Sequence, residues 1–303
     1  AGRLEELLRT LAGGGGVGWD ELPARVRQRL EQEPSLGTEM PRSLEGAADW
    51  DDLLQRAGAQ RQAWLDALAG RGSAAGIYEP DLYLNRPTAE AALQRLGEGA
   101  TTALVLLGES GWGKTNLLAH WARLRVAAGD AVFAWAGERL DAAGFDGALA
   151  RDLGCNDGSA LARAWPRLAA MTQAAGRRLW LLIDGVNDAR GDGDAARALL
   201  LAADALVSRL PEVSIKVVLS CTPATWQRLD RAEPLRLAWR RYQRGPDDAD
   251  VLTLERFTPA QAHAAWERWR ARLAMTTTMA DLPPDYVERL REPVLLRLLA
   301  ESL

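Results

Sequence analysis

The stretch that most constrains the fold of this chain is a run of eight residues that reads GESGWGKT. Its residues are Gly108, Glu109, Ser110, Gly111, Trp112, Gly113, Lys114 and Thr115, and Asn116 follows them. An apolar run, residues 102–107, precedes it, and a helical pattern continues from residue 116. Strand, glycine-rich turn and helix in that order is the context in which the pattern G-x-x-x-x-G-K-[ST] indicates a phosphate-binding loop.

The chemistry expected of this loop is the binding of a di- or triphosphate. Its three glycines allow left-handed backbone conformations, so that backbone N–H groups can surround a phosphate. The N-terminus of the following helix adds a partial positive charge. We expect Lys114 to reach the outer phosphates and the Thr115 hydroxyl to bind Mg²⁺.

Lys114 and Lys216 are the only lysines of a chain that otherwise uses arginine, which indicates that a compact charge is needed at position 114. A glycine-rich turn without a ligand is the alternative, which the flanking strand and helix disfavour.

The composition is that of a soluble globular protein. The chain has 303 residues, of which 48% are hydrophobic and 26% charged. Its length suggests about two domains. A net charge of −4 and an isoelectric point near 5.5 argue against broad electrostatic binding of nucleic acid or of an anionic membrane. The sequence has no apolar run of about eighteen residues and no signal-peptide pattern.

Two further features concern the setting of the chain. Cys155 and Cys221 have no metal-ligand spacing and fit small core residues in a reducing cytoplasm. Because the sequence begins without Met and stops inside a helical pattern, we expect it to be a piece of a longer protein.

The chain divides by pattern into three regions. Residues 1–76 are helical in pattern and carry no recognisable chemistry, so they form either an adaptor-type interaction domain or a connecting segment. Within them, apolar residues near Trp50 and again near Trp64 predict two separate helices. Residues 77–256 carry the phosphate loop and its flanking strands, and residues 257–303 are helical in pattern.

An extended segment, residues 77–87, lies just upstream of the loop. A segment in this place can cover the base of a bound nucleotide, and Tyr83 and Arg86 are the candidates for that contact. An ordinary surface loop with a stacked tyrosine is the alternative.

After the loop, strand and helix patterns alternate. Besides the run that precedes the loop, strands are predicted at residues 130–135, 179–183, 214–220 and 251–254. Alternation of this kind indicates an α/β fold, with a parallel sheet of about five strands covered by helices on both faces.

Polar residues follow two of these strands. Asp184 stands at the carboxyl end of the apolar run 179–183, and in a parallel sheet that end faces the same crevice as the phosphate loop. We expect its carboxylate to hold Mg²⁺. Asp188 could polarise an attacking water or cap a helix. Residues 220–223, which end the next strand, could sense the γ-phosphate or simply end that strand at Pro223.

These motifs resemble those of one family. Residues 108–115, 181–188 and 218–223 resemble the STAND-class NTPases near their NACHT branch, which are signalling ATPases related to AAA+ proteins. The sequence departs from the family pattern at Asn187, where the acidic motif has a second aspartate, and at Thr222, where an arginine is usual.

Two later stretches extend the resemblance to residues 78–303. Residues 252–261 resemble the start of the family's helical lid, and residues 291–299 resemble its proline motif. In the family, the proline of that motif packs near the nucleotide, and the resemblance therefore implies that Pro293 lies near the nucleotide in this chain. The lid corresponds to residues 257–303, behind a core at residues 77–256.

The resemblance implies a nucleotide-dependent switch. It implies ATP/ADP and Mg²⁺ as ligands, with Lys114, Asp184 and Asp188 as catalytic residues and slow hydrolysis. It also implies a chain that is closed with ADP and forms a homo-oligomer with ATP after an unknown activating ligand is sensed. The same resemblance implies an N-terminal effector or adaptor, a cytoplasmic location and a role in bacterial defence or stress signalling. It implies neither binding to a membrane nor direct contact with nucleic acid.

Other readings stay open at this point. The phosphate loop also fits a metabolic P-loop kinase or a nucleic-acid-dependent ATPase, although the acidic balance disfavours the latter. Trp266 and Trp269 lie one helical turn apart and predict a shared apolar face. A basic cluster from Arg236 to Arg244 predicts a solvated helix, with an arginine finger as the alternative.

Overall fold

The computed structural model describes residues 49–69, 78–140, 144–189, 194–210, 214–230 and 251–303, together with Ala47. The helices predicted before residue 47 and the basic cluster from Arg236 to Arg244 lie outside the described residues. By its contacts the chain divides into two units after Arg42, and the described residues belong to the unit from Ser43 to Leu303.

Five parallel strands form one sheet in the described part of the chain, as the sequence predicts. The order of the strands is β2-β3-β4-β1-β5, so β4 lies between β1 and β3. Each strand begins and ends within one residue of its predicted bounds. The strands are β1 (Ala103–Leu107), β2 (Ala131–Ala136), β3 (Leu179–Asp184), β4 (Ile215–Cys221) and β5 (Val251–Thr253).

Helices connect and cover these strands. In the described residues they are α1 (Trp50–Ala69), α2 (Pro87–Glu98), α3 (Lys114–Ala127), α4 (Phe145–Asp152), α5 (Gly158–Ala175), α6 (Ala195–Arg209), α7 (Pro223–Asp230), α8 (Pro259–Leu273), α9 (Pro284–Arg289) and α10 (Pro293–Ser302). Short 3₁₀ turns follow β2, at Gly137–Arg139, and β3, at Val186–Asp188. None of the helices in the described ranges is long and apolar enough to cross a membrane.

Both faces of the sheet are buried. Side chains alternate between the faces along each strand, so that Val105 and Phe133 belong to one apolar cluster while Leu106 and Val132 belong to another. This double burial explains why the strands read as continuous apolar runs and not as alternating ones.

The region from Trp50 to Ala69 differs from the sequence prediction, because it is one helix and not two. The nine residues between Leu54 and Trp64 are mostly good helix formers, and the single glycine among them, Gly58, does not break the helix. The helix packs along the edge strand β2, where the Gln60 amide donates to the carbonyl of Ala134 and accepts from its N–H. Thus α1 covers the sheet edge, although the sequence pattern grouped it with the first 76 residues.

The last three helices form a third apolar cluster. Trp266 and Trp269 of α8 are both buried in it with Leu290 and Leu296, so the shared apolar face predicted for the two tryptophans is confirmed. Helix α8 begins with a capping box, in which the side chains and backbone N–H groups of Thr258 and Gln261 bond reciprocally.

Candidate nucleotide-binding site

In the loop between β1 and α3, two of the three glycines have the left-handed conformation that the sequence allows, and Gly108 does not. Gly111 and Gly113 have φ angles of +82° and +92°, in the left-handed region that other residues rarely adopt. Helix α3 begins directly at Lys114, so its free N–H groups and its partial positive charge face the loop. A phosphate group fits the surroundings that this backbone creates.

Lys114 lies across the loop that it terminates. Its Nζ donates to the carbonyl of Gly108 over 2.6 Å and to that of Glu109 over 3.1 Å. Burial lowers the pKa of Lys114, and the negative charge of Asp184 opposes this effect. The ammonium group is therefore held at the mouth of the loop, where outer phosphates would lie.

Asp184 is the last residue of β3 and is held by two hydroxyl groups. Thr115 Oγ1 donates to its Oδ2 over 2.8 Å, and Ser220 Oγ donates to its Oδ1 over 2.7 Å. Ser220 Oγ in turn accepts from the N–H of Gly185 over 2.8 Å. The carboxylate is only 8% exposed. Burial raises the pKa of Asp184, and the two hydroxyl hydrogen bonds oppose that rise.

These residues fit a magnesium ion. A buried carboxylate whose closest partners are neutral hydroxyls leaves negative charge that a divalent cation would offset. The carboxylate of Asp184 and the hydroxyl of Thr115 are also the oxygen ligands that Mg²⁺ prefers. The two residues predicted from the sequence as metal ligands are thus direct neighbours in the structure.

The strand β4 ends at Cys221 and α7 begins at Pro223, as one of the two interpretations of residues 220–223 predicts, while the sensing of a γ-phosphate by these residues stays a prediction. Ser220 bonds to Asp184 and therefore supports the predicted metal site. Thr222 accepts from the N–H of Thr225 over 3.4 Å and so caps α7, which begins at Pro223. Thr222 also lines the crevice beside the phosphate loop.

Asp188 lies in the 3₁₀ turn that follows β3. Its Oδ1 accepts from the side-chain amide of Asn187 over 2.8 Å, and its N–H donates to the carbonyl of Gly185. The helix-cap reading of Asp188 is wrong for the helix that follows, because α6 begins at Ala195 with Asp194 as its N-cap. Asp188 lines the crevice, and its catalytic role stays a prediction.

A cavity of about 390 Å³ lies beside the phosphate loop. Its lining includes residues 110–116 of the loop together with Asp184 and Asp188. The lining also has an apolar part, which includes Leu82, Phe257 and Trp269. A polar part and an apolar part match the two parts of a nucleotide, its phosphates and its base.

Tyr83 and Arg86 both line this cavity, and neither belongs to an ordinary surface loop. The ring of Tyr83 is buried and stacks on His120 of α3, with 3.9 Å between the ring centroids. Its hydroxyl donates to Glu90 over 2.8 Å. The guanidinium of Arg86 donates to the carbonyl of Glu255 and lies over the ring of Phe257. Their contact with a base stays a prediction.

The C-terminal helices reach the phosphate loop through α10. Pro293 is the first residue of this helix and lines the cavity, and its packing near a nucleotide stays a prediction. The N–H of Val294 donates to the carbonyl of Gly111 over 3.1 Å. A Cβ atom on Gly111 would lie 2.3 Å from Val294 Cγ1, so the helix rests directly on the loop backbone.

The sequence pattern did not single out one charged residue of the cavity, Glu138. It lies in the 3₁₀ turn Gly137–Arg139 at the carboxyl end of β2, and its side chain is half-buried against the cavity. The signal was available, because β2 is parallel to β1 and β3 and its carboxyl end must face the same crevice.

The topology and the loop together define the class of the fold. A parallel sheet in which β4 separates β1 from β3, with a phosphate loop after β1 and a buried aspartate after β3, is a P-loop NTPase core.

Comparisons with known proteins add little to this. No protein-family model matches the sequence, and no curated protein is significantly similar to it. Among solved structures the chain is similar to Cdc6p from Pyrobaculum aerophilum, with a TM-score of 0.42, 17% identity, and coverage of 87% of this chain and 64% of that one. For AMPPCP-bound DnaA from Aquifex aeolicus the TM-score is 0.43 and the identity 12%, with coverage of 72% and 63%. For the ADP form of ORC2 from Aeropyrum pernix the values are 0.39 and 15%, with coverage of 74% and 70%.

The alignments with Cdc6p and DnaA cover less than two thirds of those chains. At these identities and TM-scores the similarity carries no argument about function. The assignment to P-loop NTPases therefore rests on the strand order and the site geometry, and the resemblance to the STAND class stays a hypothesis.

Proposed function

We propose that this chain is the ATP- and ADP-binding switch module of a signalling protein similar to STAND-class NTPases near the NACHT branch. In this proposal the bound nucleotide sets the position of the C-terminal helical lid, residues 257–303. The output is the formation of a homo-oligomer and the activation of an N-terminal effector or adaptor.

The observation that carries the proposal is the contact between α10 and the phosphate loop. The N–H of Val294 bonds to Gly111 in the middle of the loop, and Pro293 lines the cavity beside it. A phosphate bound by the loop would therefore lie next to the first turn of α10. A change in the number of phosphates then favours or disfavours this lid position, which is the differential interaction that a switch requires.

Different residues of the site would bind different parts of the nucleotide. The loop N–H groups and Lys114 would bind the phosphates, and Thr115 and Asp184 would hold Mg²⁺, which supplies charge stabilisation for the outer phosphates. The Nζ of Lys114 already lies beside the loop, at the carbonyls of Gly108 and Glu109.

The apolar part of the cavity lining provides a second contact between the core and the lid. The segment with Tyr83 and Asn85 is bonded to α8, where Arg268 donates to the carbonyl of Tyr83 and Gln261 to that of Asn85. A base held against this segment would therefore contact both the core and the lid. Contacts of the phosphates near α10 and of the base near α8 would then both stabilise this arrangement of the core and the lid.

Slow hydrolysis fits the turn after β3. Position 187 carries an amide in place of an acid, and this amide donates to the carboxylate of Asp188. One oxygen of the Asp188 carboxylate is therefore already engaged and is less open to an attacking water. A slow turnover lets the nucleotide state persist, as signalling requires.

The biological setting in this proposal follows the resemblance. We place the protein in the cytoplasm, in bacterial defence or stress signalling, with an unknown activating ligand and no membrane or direct nucleic-acid contact. The acidic net charge of −4 is consistent with the last point.

The deciding experiment is to denature the purified chain and identify the released nucleotide by chromatography. We expect near-stoichiometric ADP, retained by the closed lid. The variant Lys114→Ala should release none, while Arg123→Ala, which removes an exposed cation from the same helix α3, should release as much as the wild type. Light scattering with a non-hydrolysable ATP analogue should then show a larger species than with ADP.

Other outcomes would favour the alternative functions. An empty site that turns over added ATP rapidly, without partner or oligomer, would indicate a metabolic P-loop enzyme. Hydrolysis that DNA or RNA stimulates strongly would indicate a nucleic-acid-dependent ATPase.

A further inference from the structure

One carboxylate of α2, that of Glu90, holds two residues that line the nucleotide cavity. Its Oε1 accepts a hydrogen bond from the hydroxyl of Tyr83 over 2.8 Å and another from the backbone N–H of Arg86 over 2.8 Å. Tyr83 and Arg86 both belong to the cavity lining, whereas Glu90 is half-buried and does not. A ligand in the cavity would therefore meet Tyr83 and Arg86, and Glu90 would act on it only through them.

The side chain of Tyr83 is fixed at two points. Its ring stacks on the ring of His120, with 3.9 Å between the centroids and 12° between the planes, and its hydroxyl is held by Glu90. Burial raises the pKa of Tyr83, and the hydrogen bond to Glu90 acts in the same direction, so the hydroxyl stays a donor. A side chain that is already fixed loses little rotamer freedom when a ligand binds.

Arg86 is likewise fixed at both of its ends. Its backbone N–H is bonded to Glu90, while its guanidinium donates to the carbonyl of Glu255 and lies 4.8 Å from the centroid of the Phe257 ring. Phe257 is itself part of the apolar cavity lining. Arg86 thus connects the start of α2 with the segment that leads from β5 to the lid.

We propose that Glu90 is the positioning residue for the base of the bound nucleotide. It holds Tyr83 and Arg86 in the arrangement that receives the base. This inference rests on the proposed nucleotide site. The alternative is that Glu90 only stabilises the start of α2, where Arg86 is the N-cap. The two roles differ in their consequences, because a positioning residue affects only those ligands that carry a base.

The test compares two ligands on the same variants, after removal of bound nucleotide. A non-hydrolysable ATP analogue carries a base, whereas tripolyphosphate carries only phosphates, and both are titrated as magnesium complexes by calorimetry. Glu90→Ala should lower the affinity for the analogue by about tenfold, because two side chains must then be ordered on binding. Its affinity for tripolyphosphate should stay within about twofold of the wild type, since Glu90 contacts Tyr83 and Arg86 and these receive the base.

Three further variants refine the comparison. Glu90→Gln keeps an oxygen acceptor in the same place and should retain the affinity for the analogue within about threefold. Glu98→Ala, which removes an exposed carboxylate from the end of the same helix, is the control and should change neither affinity. Tyr83→Phe removes the hydroxyl and keeps the ring, so its effect should be less than additive with that of Glu90→Ala, because both changes remove the same bond.

The outcomes separate this inference from the proposed function. Equal losses for the two ligands in Glu90→Ala, or a wild-type affinity for the analogue, would overturn the positioning role. A loss in Glu90→Gln as large as in Glu90→Ala, or additive effects with Tyr83→Phe, would also overturn it. A wild-type chain that binds the analogue no more tightly than tripolyphosphate would overturn the inference while the phosphate site stands. A wild-type chain that binds neither ligand would overturn the proposed function itself.

Discussion

The backbone N–H of Val294 donates a hydrogen bond to the carbonyl oxygen of Gly111, over 3.1 Å. Val294 is the second residue of α10, and Gly111 lies in the middle of the phosphate loop at φ +82°. The bond therefore joins the last helix of the chain to the loop after the first strand. The loop conformation and the position of α10 depend on each other.

Gly111→Ala should disturb both partners of this contact. The left-handed conformation costs a residue with a Cβ about 1–2 kcal/mol, and the new methyl group would also collide with Val294. We expect a lower free energy of unfolding in urea and faster hydrogen exchange in α10. Gly147→Ala is the control, because Gly147 lies in helix α4 with open space around it, and there the change should stabilise the chain by about 0.5–1 kcal/mol. Equal effects of the two changes would contradict the close contact.

Ser220→Ala should destabilise the fold even without nucleotide. The variant leaves the N–H of Gly185 without its acceptor and one oxygen of Asp184 without its donor, and such buried unsatisfied groups cost about 1–3 kcal/mol. The matched control is Ser208→Ala on α6, whose hydroxyl bonds only to the carbonyl of Asp204 at an exposed position. We expect the control to change the free energy of unfolding by less than about 0.5 kcal/mol. A Ser220 variant as stable as the control would show that Asp184 does not depend on Ser220.

Part of the candidate site is determined by local sequence and could therefore be predicted. The run from Leu179 to Ile183 predicts a central strand because both faces of that strand are buried. The same local pattern places Asp184 at the crevice, where it meets Thr115. The bond from Ser220 to Asp184 was beyond prediction, because it depends on the register between β3 and β4.

The position of α1 on the sheet edge also could not be predicted from local sequence. Gln60 and Ala134 are 74 residues apart, and a glutamine on a helix is usually read as a solvent-facing residue. Its contact with the sheet edge arises only in the folded chain. Glu138 was missed for a different reason: no motif marks it, although its place after β2, at the carboxyl edge of the parallel sheet, could have been predicted.

Gln60→Ala tests the docking of α1 on β2. The change removes the acceptor for the N–H of Ala134 and a donor for its carbonyl, and Ala134 itself is fully buried, so we expect a loss of about 2 kcal/mol in the free energy of unfolding. Gln62→Ala on the same helix removes only an exposed bond to Asp66 and should have little effect. Similar values for the two variants would mean that the paired amide does not hold the helix on the sheet edge.

Lys216 gives a prediction about pH. Its side chain is fully buried on β4, and its Nζ donates to the carbonyls of Gly99 and Thr101 over 2.8 and 2.7 Å. Burial lowers the pKa of Lys216 to about 7, with the charge of Arg178 acting in the same direction. In the unfolded chain the pKa returns to its ordinary value of about 10.4.

Between these two pKa values the unfolded chain carries a proton at Lys216 that the folded chain has released, so the free energy of unfolding rises with pH. Below pH 7 both states are protonated and the cost of the buried charge is present in full. Because one pKa unit corresponds to about 1.4 kcal/mol, stability should increase by about 2 kcal/mol from pH 7 to pH 9 relative to Lys216→Met, which has no charge to lose. In Lys216→Arg the charge persists, so this rise should be absent as well. Urea denaturation across this range measures the difference, and parallel curves for the wild type and Lys216→Met would show that the folded chain keeps Lys216 charged.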